Sequence, residues 1–451
     1  MRVRRTLGVL AAAALAAGLA AAPLGAQQTE VAGTYAIRGA TIHTLAGPEI
    51  QNGTVVLRDG KIFAVGTDVR VPPDAVVIDA AGQHVYPGMV DAFSRLGLTE
   101  IGSVSATNDM VELGHFNPQL EAYQAIHPAS EHIPVARANG ITHTLVAPGG
   151  GGRFGGGGSA GIAGQATLLN LDGWTVEDMA LERSAAMVIN WPTIQTRTFD
   201  FATFSTKEKP YTEAKKAYDE QVDKLENWAE AAEHYRQARE RGAKIETDLK
   251  LEALSRAVAG ELPVIVVAND KRAIESAVEF AERHHLKLIL AGARDGRKVA
   301  GMLAEKHIPV ILGQTQALPA ERDDPYYYPR SLPGELYVAG VKIAFGTFGS
   351  SDSRTLPYQA ANAVPFGLPY DEALRAVTAN AADMLGVAAE LGTIEPGKMG
   401  NLIVTDGDPL EIQTHIEHLF IRGRPVSTDN KHRRLWEKYR KRPAKTKITT
   451  D

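Results

Sequence analysis

The stretch Tyr86-Pro87-Gly88-Met89-Val90-Asp91-Ala92-Phe93-Ser94-Arg95-Leu96-Gly97 decides how the rest of the chain is read. Pro87 lacks a backbone donor and Gly88 tolerates turn geometry, so together they interrupt whatever precedes them. Met89 and Val90 then open an apolar run that ends at Asp91. The stretch reads as a turn, a short buried strand and a loop. Phe93 and Arg95 stand at its far end. A benzyl ring has no lone pair to donate, and a guanidinium carries only donors and a positive charge.

On the N-terminal side of this stretch, residues 35–85 read as β-structure. Residues 54–57 and 61–65 are β-rich runs flanking Asp59-Gly60, the strongest two-residue hairpin signal. Residues 76–78 form another short run after Pro72-Pro73. On the C-terminal side, strands and helices alternate from Met89 to about Leu385. Strands are expected at 142–146, 186–189, 264–267, 286–290, 310–312 and 341–345. Helices are expected around Val135-Ala136-Arg137 and at 249–258, 273–283, 299–305 and 371–378. Apolar runs separated by helices imply a parallel sheet with both faces covered. A count near eight units implies a (β/α)8 TIM-like barrel, with an open doubly wound sheet as the alternative.

Short β-rich runs return at 402–404 and 418–421. They are expected to pair with the N-terminal strands in one small discontinuous β-sandwich, with the barrel inserted between its halves. The expected divisions are 1–26 (leader), 31–86 with 391–430 (sandwich), 87–390 (barrel) and 431–451 (basic tail). Residues 207–241 are rich in Lys, Glu and Ala, with Tyr218, Val222, Leu225, Trp228 and Ala232 at three- and four-residue steps. This is a long amphipathic helix. Its default reading is packing over the barrel; a lid or a homo-oligomer contact is the alternative.

Two motifs carry a family resemblance. The stretch from Tyr86 resembles the first barrel strand of the amidohydrolase superfamily, Pro-Gly-hydrophobic-hydrophobic-Asp-x-His-x-His. Gly392-Thr393-Ile394-Glu395-Pro396-Gly397-Lys398-Met399-Gly400-Asn401-Leu402-Ile403-Val404 resembles that family's closing motif. The family's two first-strand histidines bind a catalytic metal, usually zinc. Their places here hold Phe93 and Arg95. The segments Gly161-Ile162-Ala163-Gly164-Gln165 and Asn170-Leu171-Asp172-Gly173-Trp174 resemble an exported branch related to imidazolonepropionases.

The resemblance implies further ligands at later strand ends, where the βα-loops meet. Those positions offer Asn190 after the fourth strand, Asn269 after the fifth and no histidine near 290–292. The eighth-strand Gly-Thr/Ser-Asp motif reads Gly346-Thr347-Phe348, with Asp352 following. None of the 13 histidines falls on a ligand position. His143 lies inside a strand, His284 and His285 precede one, and His415 and His418 belong to the sandwich. A divalent site normally needs three or four N, O or S ligands. No metal and no other cofactor is therefore expected. Arg95, Asn190 and Asn269 are the candidate substrate-binding residues, and Asp352 is the candidate general base. An internal Arg95–Asp352 ion pair is an equal alternative. All four are expected at one barrel mouth, holding a small polar or anionic molecule.

Composition narrows the rest. At 451 residues, 44% hydrophobic and 22% charged, the chain is ordinary for a globular protein. A net charge of -5 gives no global field favouring nucleic acid. Arg2, Arg4 and Arg5, an apolar run over 7–22 and small residues before Gln27 read as a cleaved secretory leader. A periplasmic or secreted location is expected, with no transmembrane span after cleavage. The absence of cysteine excludes disulfides, thiolate ligands and thiol nucleophiles. The glycine-rich loop 148–159 lacks the Gly-Lys-Ser/Thr ending of a phosphate loop and reads as a mobile cover. The tail carries Lys431, Arg433, Arg434, Lys438, Arg440, Lys441, Arg442, Lys445 and Lys447. It reads as a solvated end or as a contact with an anionic envelope surface.

By resemblance the chain is expected to be a hydrolase of non-peptide C–N bonds of the cyclic amide or imide type, with the usual metal ligands missing. The alternative is a catalytically inactive exported binding or scaffold protein on the same fold.

Overall fold

The computed structural model describes residues 33–149, 160–200 and 203–442. The leader, most of the glycine-rich cover and the end of the basic tail fall outside the described residues.

Five strands open the chain: β1 (Tyr35–Ile42), β2 (Ile50–Arg58), β3 (Lys61–Gly66), β4 (Val76–Asp79) and β5 (His84–Pro87). Asp59 and Gly60 join β2 to β3 with φ of 51° and 80°. Both angles are positive, as a primed two-residue turn requires, so the turn twist matches the strand twist. The barrel follows, with β6 (Met89–Ser94), β7 (Ile141–Val146), β8 (Gly161–Asn170) and β9 (Ala180–Asn190). A small hairpin, β10 (Arg197–Asp200) and β11 (Ser205–Glu208), precedes the helix Tyr211–Glu240. Then come β12 (Val264–Ala268), β13 (Leu288–Gly292), β14 (Val310–Leu312) and β15 (Ile343–Phe345), each but the last followed by a helix that leads to the next strand. The strands β16 (Leu402–Thr405), β17 (Ile416–Ile421) and β18 (Arg424–Pro425) close the fold before a last helix, Lys431–Arg440.

The first and last groups of strands share one sheet, ordered β18-β17-β16-β5-β1-β2-β3 with β4 beside β1. Its junction is the antiparallel pair β5–β16. The segment Pro396-Gly397-Lys398 docks on the Asp59-Gly60 hairpin: Gly397 N–H donates to the Ile62 carbonyl and Ile62 N–H to that of Lys398, each at 2.8 Å. Ile37, Val55, Leu57, Ile62, Leu402, Val404 and Phe420 form this sheet's own core.

The barrel sheet runs β6 to β9 and then β12 to β15. Alternate residues fill its interior, among them Val90, Leu145, Leu168, Val188, Ile265, Ile289, Ile311 and Ala344. Their neighbours, such as Val264, Val266, Val310 and Ile343, face the helices. This two-residue alternation is what a closed sheet with a packed lumen demands.

One strand departs from the parallel expectation. β8 lies antiparallel to both β7 and β9. A parallel return needs a crossover of a dozen or more residues, usually helical. The β7–β8 connection is dominated by glycine in sequence, a composition unsuited to a helical crossover, and the two strands pair antiparallel. The helix expected over 207–241 begins at Tyr211, because Ser205–Glu208 pairs in the hairpin instead. Its buried stripe, Ala214, Tyr218, Leu225, Ala229, Ala232 and Tyr235, packs on the barrel.

Candidate functional site at the barrel mouth

Two ends of the barrel sheet, β6 and β15, meet at the mouth, and a carboxylate joins them. Asp91 is fully buried. Its Oδ1 accepts from Thr347 N–H at 3.0 Å and from Phe93 N–H at 3.3 Å, and its Oδ2 accepts from the Thr347 hydroxyl at 2.5 Å. Burial pushes this carboxyl up to about 7, against the pull of those hydrogen bonds. Phe348 N–H donates to the Phe93 carbonyl at 2.8 Å and extends the seam. Gly346 permits the approach: a Cβ there would lie 2.8 Å from that of Phe93.

Above this seam the mouth is filled by rings. Phe93 and Phe348 stack with centroids 4.5 Å apart. Phe93 is fully buried, and Phe348 takes a left-handed backbone, φ 56°, which costs about 1 to 2 kcal/mol for a residue with a Cβ. The Arg95 guanidinium sits 5.0 Å over the Phe93 ring. Its Nη1 donates to the carbonyls of Ala147 and Pro148, the latter at 2.7 Å. Burial alone pushes Arg95 down to about 10, leaving it a cation at neutral pH.

The four expected site residues do not share one place. Among the described residues no carboxylate pairs with Arg95. The expected alternative of an Arg95–Asp352 ion pair is therefore not formed: Arg95 turns to the carbonyls just after β7, while Asp352 accepts from Gln314 Nε2 at 3.3 Å. Asn190 and Asn269 do come together. They line a cavity of about 370 Å³ between the ends of β9 and β12 and the start of the helix Tyr211–Glu240, which contributes Ala214, Tyr218 and Gln221. Neither Arg95 nor Asp352 lines it. The long helix therefore both packs over the barrel and walls this cavity.

Two glycines make room for the asparagines. A Cβ on Gly292 would lie 2.6 Å from Asn269 Oδ1, and one on Gly149 would lie 2.9 Å from Asn190 Nδ2. In the cavity wall, Trp191 Nε1 and the Tyr218 hydroxyl find no hydrogen-bond partner among the described residues. No Asp or Glu is among the lining residues described, and Lys209 is the one lysine or arginine among them. The cavity is therefore rich in neutral donors and acceptors and poor in negative charge.

Asp91 and the cavity face of the long helix were missed by the sequence reading. An ionisable residue inside a short, mostly apolar strand was the available signal for Asp91. Among the described residues no group of three His, Asp or Glu side chains is arranged to hold a metal ion. His143 is instead part of a buried network linking the barrel to the second sheet. Its Nε2 lies 2.7 Å from Asn401 Nδ2, and Asn401 Oδ1 accepts from Arg422 N–H at 2.7 Å. Burial, aided by the Arg422 cation, pushes His143 down to about 3.

Comparison with known proteins agrees with this architecture. Residues 333–429 match the family model described as the amidohydrolase family. The chain is 24% identical over 412 residues to "Amidohydrolase tasK" of Hapsidospora irregularis, covering 83% of this chain but only 39% of that protein's length. It is 26% identical over 400 residues to an imidazolonepropionase of Symbiobacterium thermophilum, covering 79% of this chain and 84% of that one. A solved amidohydrolase structure from Thermotoga maritima MSB8 superposes with a TM-score of 0.74 at 23% identity, covering 87% of this chain and 99% of that one. Residues 333–429 thus carry the amidohydrolase-family match, and the chain as a whole shares the fold of the Thermotoga maritima amidohydrolase structure.

Proposed function

We propose that this protein binds a small cyclic amide or imide in the cavity between the ends of β9 and β12 and does so without a divalent ion. The carrying observation is the pairing of Asn190 and Asn269 in one cavity that contains no carboxylate among the described residues. A carboxamide offers one carbonyl acceptor and an N–H donor, the complement of a lactam edge. The name of the Symbiobacterium thermophilum relative points to a cyclic amide of this kind. The donor set at the positions where the family places metal does not fit a cation. Phe93 and Phe348 have no lone pairs, Arg95 is positively charged, and the carboxamides are weak ligands on their own. The leader sequence supports placing this binding outside the cytoplasm.

The test is titration calorimetry of chelator-treated protein with hydantoin. Saturable binding that weakens about tenfold in Asn269→Leu supports the reading. No binding, or hydrolysis that requires added zinc, contradicts it.

A second reading is metal-free hydrolysis of the same ring with Asp352 as general base. It is favoured by the part-exposed Asp352 carboxylate on the loop after β15, the side of the barrel where strand-end chemistry sits. Chelator-resistant turnover that is lost in Asp352→Asn would favour it over binding alone.

A further inference from the structure

The C-terminal helix Lys431–Arg440 presents its apolar side to solvent. Leu435, Trp436 and Tyr439 are 38%, 60% and 59% exposed, and the helix has no buried residue. At 100° per residue, Leu435, Tyr439, His432 and Trp436 fall on a single arc of roughly 100°. Basic residues flank that arc on both sides: Lys431, Lys438 and Arg442 on one, Arg433 and Arg440 on the other. The whole chain has a net charge of -5, yet Glu437 is the only acidic residue between 431 and 442. Positive charge is thus concentrated where the apolar face emerges.

The helix is held firmly. Asn430 caps it, its side chain accepting from the N–H groups of His432 and Arg433 at 3.0 and 3.2 Å. Arg434 ties it to Asp429 at 3.0 Å and to Glu131 at 3.4 Å. Arg440 lies 4.8 Å over the Trp436 ring, and Lys438 lies 5.5 Å from that of Tyr439. Arginine or lysine against an exposed indole or phenol suits a headgroup layer, where the ring is half dry and the cation meets phosphate.

We propose that this helix is an interfacial anchor for an anionic phospholipid surface, lying flat with Leu435, Trp436 and Tyr439 inserted among the headgroups. No helix of the described residues is long and apolar enough to cross a membrane, so this contact is peripheral. The exposed aromatic face favours lipid over nucleic acid, which would need only the charge. The proposal does not depend on what the barrel binds.

The test uses the chain from Gln27, which keeps every residue the structure describes and removes the apolar leader. Cosedimentation is measured with vesicles of phosphatidylglycerol and phosphatidylcholine, and with phosphatidylcholine alone. Binding to the anionic vesicles is expected to exceed binding to neutral ones at least about tenfold and to weaken with salt. Trp436→Ala with Tyr439→Ala, and separately Lys431→Glu with Lys438→Glu, should each reduce it about tenfold or more, with unfolding temperatures unchanged. Equal binding to both vesicle types, no binding, or binding indifferent to both double variants overturns the proposal. So does retention of duplex DNA that survives loss of the two aromatics, or a self-association that those aromatics control without any vesicle binding.

Discussion

The Asp91 carboxylate takes both donors of Thr347, a residue 256 positions further along the chain. This contact closes the barrel where its first and last strands meet, and it does so inside the core. A carboxyl in that position is stabilised by the hydrogen bonds and penalised by the loss of water, and the penalty is the larger effect.

The pH dependence of stability follows. Asp91 sits at about 7 in the fold and near 4 in the unfolded chain. Between those values the native state holds the proton more tightly, so its stabilising contribution is full below about pH 4 and is lost as pH rises toward 7. His143 has the opposite sign. Held at about 3 in the fold, against about 6.5 unfolded, it contributes fully above about pH 6.5 and less as pH falls. The two slopes oppose each other over roughly pH 4 to 6.5. Asp91→Asn should uncover a stability that falls by a few kcal/mol on acidification; His143→Gln should uncover one that falls on alkalinisation. Urea midpoints measured across this range check both, and two variants that parallel the parent would count against the argument.

Phe93→Ala removes a fully buried ring and the platform beneath Arg95. A loss of about 3 to 5 kcal/mol is expected, at the upper end if Arg95 keeps its position over the void. Phe93→Leu should cost clearly less. Equilibrium urea unfolding of the two variants gives the comparison.

Gly292→Ala is predicted to act on binding through Asn269. The new methyl would meet Asn269 Oδ1, and φ at this position is already 89°. Hydantoin affinity should drop about tenfold, with a stability cost of about 1 to 2 kcal/mol. Parent-like affinity in this variant would remove Asn269 from the site.

Asn401→Leu should weaken the join between barrel and sheet. It strips a partner from His143, from Asn170 and from the Arg422 backbone at once. A loss of roughly 2 to 4 kcal/mol is expected, because each buried group left unpaired carries its own desolvation cost. Chemical denaturation measures it.

Much of the fold was legible because local signals agreed with the final pairing. Asp59-Gly60 dictates a tight hairpin, and the apolar runs 264–267 and 310–312 could only be covered strands. The antiparallel β8 was not legible, since its glycines hide the alternation that would mark a strand. The mouth was half legible. Asn190 ends β9 and Asn269 follows the end of β12, its parallel neighbour, and both reach one cavity. The direction of Arg95 depends on two carbonyls just after β7, more than 50 positions away, and no local pattern encodes that. Phe348 is the third member of the stack, and its role appears only once β15 is set against β6.

The central claim is that rings and a cation stand where a metal centre would need lone pairs. Elemental analysis of the protein after zinc loading and exhaustive dialysis tests it most directly. The account predicts zinc well below one equivalent, unchanged in Asp352→Asn. One equivalent retained through dialysis and lost in that variant would contradict it.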